Sequence, residues 1–126
     1  MDDRDALHEL LFNMLCCSMC ADMHIHINEV HEIHAILKEL QVPWEIDEVK
    51  HRITSFINLA ETKGVNAVME LTFDQIEECN YPNEGKQLLD YIDRMNIADG
   101  RVSQSEVDVK QKFRVALSLR AKQMRP

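Results

Sequence analysis

The chain has 126 residues, 45% hydrophobic and 29% charged, with only 3 Gly and 3 Pro; this is too apolar for disorder and too poor in turn residues for a β-sandwich. A formal charge of −8 argues against a nucleic-acid backbone binder, whose affinity comes from neutralising phosphates. The length fits one domain, 1–126, that needs no disulfide or metal to hold a core.

Helical periodicity dominates from the start. Leu7, Leu10, Leu11, Met14, Leu15 and Ser18 mark one face of a first helix, about 5–20. The longest apolar run, Leu10–Ala21, is interrupted by Asn13 and Ser18 and falls short of the ~18 residues of a membrane span. The opening MDDRD is acidic where a secretory leader would be basic, so a cytoplasmic protein with reduced thiols is expected, without a membrane partner. Val30, Ile33, Ile36, Leu37 and Leu40 define a second helix, about 28–40, which Val42-Pro43 stops. A third, about 45–63, turns Ile46, Val49, Ile53, Phe56, Ile57 and Ala60 inward, and Gly64 suits its C-terminal cap. A short helix over about 66–71 is expected next, then another opened by a capping box at Thr72-Phe-Asp-Gln75. Leu88, Leu89, Ile92 and Met95 mark the sixth, about 83–98. The seventh opens at a second capping box, Ser103-Gln-Ser-Glu106, and carries Val107, Phe113, Leu117 and Met124 inward.

Charge is uneven along this all-α chain. Residues 1–108 carry −14 and residues 109–126 carry +6, from Lys110, Lys112, Arg114, Arg120, Lys122 and Arg125. The preferred reading is a last helix whose cations offset its C-terminal dipole; the alternative is a docking tail for an acidic partner.

A repeat carries most of the information. Residues 21–30, ADMHIHINEV, align with residues 98–107, ADGRVSQSEV, after a shift of 77 positions. Asp22 meets Asp99, Glu29 meets Glu106, and flanking apolar positions match, such as Leu11 with Leu88 and Ile36 with Phe113. Two pseudo-symmetric helix–loop–helix halves are expected, about 5–40 and 83–120, with 44–80 as connector. In the second corner Gly100 suits a left-handed turn, Val102 should plug the loop into the core, and Glu106 should reach back to the cap. In the first, Met23 replaces the glycine and His26 the serine. Asp99-Gly-x-Val-x-x-x-Glu106 also matches the second half of an EF-hand loop. Met95 and Ile97 in one copy, and Ser18 and Cys20 in the other, stand where the remaining oxygen ligands belong, which rejects that motif.

Paired hairpins with an ADG-x-[IV]-x-x-x-E corner resemble the tellurite-resistance TerB-like family over about Leu7 to Leu119. That resemblance implies a helical bundle with an acidic, metal-binding surface and no enzymatic activity, in metal or chemical stress response or beside co-chaperones. It puts the acidic roles on Asp22, Glu29, Asp99 and Glu106. His24 and His26 stand in the first corner, and imidazole favours Zn or Ni over Ca or Mg, so all six residues form the expected metal set. A separate zinc site from Cys16, Cys17, Cys20, His31 and His34 is disfavoured, because buried Cys packs as a small hydrophobe. Cys17-Ser-Met-Cys20 lies at the wrong end of a helix for redox work. The competing expectation is a protein-interaction module whose acidic corners are only helix caps, with Trp44 and Tyr81 as exposed anchors for an unidentified protein partner.

Overall fold

The computed structural model describes residues 3–21, 27–80, 84–100 and 102–124. Among them are six α-helices and no strand: α1 Asp3–Cys20, α2 Ile27–Glu39, α3 Ile46–Lys63, α4 Val65–Glu77, α5 Gly85–Asn96 and α6 Gln104–Gln123. A 3-10 turn, Ile97–Asp99, follows α5.

α1 is the central element, packed against all five other helices. From Leu10 to Cys20 every residue but Asn13 is buried, so its apolar residues surround it rather than forming the expected single stripe. A helix hydrophobic on all sides belongs inside a bundle. Its two polar interruptions are both satisfied across the core. Asn13 Nδ2 donates to Gln75 Oε1 of α4 at 2.8 Å, and Ser18 Oγ donates to Asn96 Oδ1 of α5 at 2.9 Å.

The other helices wrap α1 in a fixed sense. Arg4 pairs with Glu84 at 3.0 Å near the start of α5, while Ser18 meets Asn96 near its end, so α1 and α5 run parallel. α6 returns antiparallel to α5: Lys110 pairs with Asp93 at 2.7 Å, and Leu117 lies against Gly85. Arg94 of α5 clasps α2 through Glu32 and Glu39. Phe73 and Phe113 join α4 to α6 with ring centres 5.5 Å apart.

The helix ends follow local chemistry. α2 closes in a Schellman arrangement, with Val42 N donating to Leu37 O at 2.9 Å and Gln41 N to Lys38 O at 3.0 Å. Gln41 therefore takes φ 62°, the position usually given to glycine. Gly64, at φ 93°, donates to Ala60 O at 2.8 Å and separates α3 from α4.

Three expectations need correction. The two short helices predicted at 66–71 and from Thr72 are one continuous helix, α4. Thr72 is buried in its interior and its hydroxyl bonds Val68 O at 3.0 Å, a contact that competes with capping. This leaves six helices where seven were predicted. Trp44 is no free anchor: it packs edge-on against Phe12 at 5.6 Å, with the Arg52 guanidinium 3.6 Å over its ring. Arg52 is in turn held by Glu48 and Glu9. In α6 the inward residues are Val109, Phe113 and Leu117, while Val107 and Met124 are exposed. Tyr81 lies outside the described residues.

Candidate corner site

The helices that lead into the two corners, α1 and α5, end side by side. The hydrogen bond between Ser18 and Asn96 ties the last turn of α1 to the last turn of α5. From there the chain enters the first corner at residue 22 and the second at Ile97. α2 packs directly on the Ile97–Asp99 turn, so the helix that carries Glu29 lies beside the second corner.

The second corner is built by local geometry. Gly100 adopts φ 81°, ψ 5° and donates to Ile97 O at 2.9 Å, reversing the chain without side-chain strain. Ser103 is extended at φ −82°, ψ 161° and caps α6. Its Oγ accepts from Glu106 N at 3.1 Å, and Glu106 Oε1 accepts from Ser103 N at 3.0 Å. This is the reciprocal capping box expected from Ser103-Gln-Ser-Glu106. Val102 does not plug the core. It is 50% exposed, and Ile97 and Val107 beside it are comparably open. The capping box positions the loop by hydrogen bonds, so no apolar anchor is needed there.

Glu29 and Glu106 hold the same register, each the third residue of its helix, and are 2% and 4% exposed. An ionised carboxylate this deeply buried is costly unless paired; both make interactions and neither is free. Their position in the first turn is where the helix dipole favours negative charge. Of the other predicted ligands, Asp22, His24 and His26 lie outside the described residues. Asp99 is placed by its backbone in the 3-10 turn, but its side chain is also outside them. Among the described residues no three His, Cys, Asp or Glu side chains group as a metal cage.

The thiols take another role. Cys16, Cys17, Cys20 and Cys79 are all buried and unbridged. Burial pushes the Cys17 thiol up to about 12, with its contact to Thr72 Oγ1 at 3.5 Å opposing that rise. Burial also raises the Cys16 thiol well above its ordinary value, reinforced by Cys20 and Cys17. A thiol kept protonated is a poor nucleophile and a poor ligand. His31 is exposed and His34 half-buried on α2.

The basic stretch after Asp108 forms most of α6, and Arg120 and Lys122 stand in its last turn as the dipole favours. Arg120 Nε donates to Cys79 O at 2.9 Å, tying the end of α6 to the segment after α4. Among the described residues, no helix is long and apolar enough to cross a membrane. Comparison of the chain with protein-family models, with curated proteins and with solved structures finds no match.

Proposed function

We propose that this chain is a non-enzymatic acidic helical module that binds one divalent cation between its two corners. Its context would be the metal or chemical stress response that the TerB-like resemblance implies. The observation behind this reading is the Ser18–Asn96 hydrogen bond, which joins the last turns of the helices that lead into the two corners. The two-half organisation is part of the same proposal. Equivalent helices related by a pseudo-two-fold axis along their length would run parallel, as α1 and α5 do, and the cross contacts α1 with α6 and α2 with α5 both occur.

The donor set fits a borderline cation. Asp22, Glu29, Asp99 and Glu106 offer carboxylates, and His24 and His26 offer imidazoles that favour Zn or Ni over Ca or Mg. The cation's chemistry here would be charge neutralisation: it would hold together carboxylates that otherwise repel.

Added Zn or Ni should then raise the thermal midpoint by roughly 5–10 °C at a hundredfold excess over Kd. Asp22→Asn, Asp99→Asn and His26→Ala should each shrink that rise. An equal rise in all three variants, or none in the parent, overturns the proposal. The second reading, a protein-interaction module with carboxylate caps, is favoured by the complete capping box at Glu106 and the exposed Ile97, Val102 and Val107 around it. It takes over if no divalent ion moves the midpoint.

A further inference from the structure

Between α5 and α6 lies a groove of about 430 Å³, lined by Lys86, Lys110 and Arg114 with Asp90 as its one acid. Its volume falls in the range of ligand-binding clefts, ~300–1,000 Å³. Leu89 and Leu117 give it an apolar floor. The three cations stand together in a chain of charge −8. Lys110 is engaged with Asp93, but Lys86 and Arg114 form no ion pair among the described residues. α5 also begins here, at Gly85, and the carboxylate of its N-cap Glu84 is engaged with Arg4 of α1 rather than with Lys86 or Arg114.

We infer that this groove docks an acidic peptide segment of a partner protein, one that sets carboxylates against Lys86 and Arg114 and an apolar side chain on Leu89 and Leu117. Charge complementarity selects the occupant. Two of the six cations after Asp108, Lys110 and Arg114, face the groove, whereas Arg120 is spent on the fold. The apolar floor favours a peptide with alternating acidic and apolar residues over a bare polyanion. The site lies along the first half of α5, while the corners follow its last turn, so it stands whether or not the corners hold a cation.

The test is fluorescence titration of the full chain with a labelled peptide of repeated Glu-Glu-Leu, beside the same peptide carrying Gln for Glu. The Glu peptide should bind saturably and weaken with added salt. Lys86→Glu and Arg114→Glu should each lower its affinity by about fivefold or more, since an exposed ion pair is lost and a repulsion gained. Lys112→Glu, on α6 but outside the groove, should change it by less than about twofold. Unchanged circular dichroism would show that these positions leave the fold intact. The inference is overturned if the Glu peptide does not bind, if the Gln peptide binds equally, or if Lys112→Glu weakens binding as much as Arg114→Glu. It is also overturned if a single-stranded DNA oligonucleotide displaces the peptide at lower concentration than free peptide does.

Discussion

The two corners place a buried glutamate at the same step of a helix, yet the sequence supports them unequally. Around Glu106 the neighbours act locally. Gly100 turns the chain, Ser103 caps the helix, and Glu106 returns a bond to the cap. Around Glu29 the matching positions are Met23 and His26, and Glu29 is still 2% exposed. Glu29, like Glu106, is engaged rather than free, so its burial does not by itself call for a ligand. The second corner is thus a helix start whose cap is built from neighbours in sequence, whereas the residues before α2 lie outside those described.

The incoming helices differ as well. At one aligned pair, α1 carries Cys17 sealed in the core, while α5 carries Arg94 at the surface, clasping Glu32 and Glu39. Central and peripheral helices share a repeat but not an environment, and each position has taken the chemistry its surroundings allow.

The junction itself should show the largest effect. Asn96→Ala strands the Ser18 hydroxyl in the core and opens a void, and should cost about 2–3 kcal/mol in urea unfolding. Ser18→Ala combined with Asn96→Leu should recover much of that loss, because both polar partners are then gone. Equal stability of the single and double variants would mean that the bond contributes little to the core.

The corners should separate next. Ser103→Ala should cost about 1 kcal/mol, and Glu106→Gln much less, since Gln also serves a capping box. Glu29→Gln should leave stability in chelator near the parent's but blunt the Zn- or Ni-induced rise in midpoint. If Glu29→Gln and Glu106→Gln behave alike in both conditions, the contrast between the corners is false.

Alkaline pH probes the buried thiols of α1. Cys17 is held near 12 in the fold against 9.0 when free, so the unfolded chain releases its proton first. The folded state therefore keeps this contribution below about pH 9 and loses it as pH rises toward 12, by roughly 1 kcal/mol per pH unit. Cys17→Ala should flatten that slope in unfolding curves measured across the same range. A slope unchanged by the substitution would show that Cys17 is solvated in the fold.

The smallest effect is expected at the surface counterpart. Arg94→Ala should cost less than about 1 kcal/mol, a loss that vanishes in high salt, because its partners Glu32 and Glu39 are partly exposed. A larger, salt-independent loss would make this clasp a structural element of the α2–α5 contact.

Several features were legible in the sequence because their causes are local. Val42-Pro43, Gly64 and Ser103-Gln-Ser-Glu106 punctuate the helices close to where they end or begin. The helical spacing of Leu88, Leu89, Ile92 and Met95 gives the buried face of α5. Thr72 misled for an equally local reason: Thr-x-x-Gln looks like a cap whether the Thr hydroxyl turns forward to the helix start or, as here, back to Val68 O. Of the metal set, the repeat pairs Glu29 with Glu106, and the structure gives both the same helical register and burial.

What the sequence determined by itself is the helical character of the chain, its breaks and the capped start of α6, since each rests on contacts within a few residues. The tertiary structure decided which helix is central. A run with Cys16, Cys17, Met19 and Cys20 beside Leu11 and Leu15 reads as one apolar stripe until five helices close around it. It also decided that Ser18 and Asn96, 78 residues apart, should meet and join the last turns of α1 and α5, and that Val102 should stay in solvent. Burial is a property of neighbours distant in sequence, so only packing could assign it.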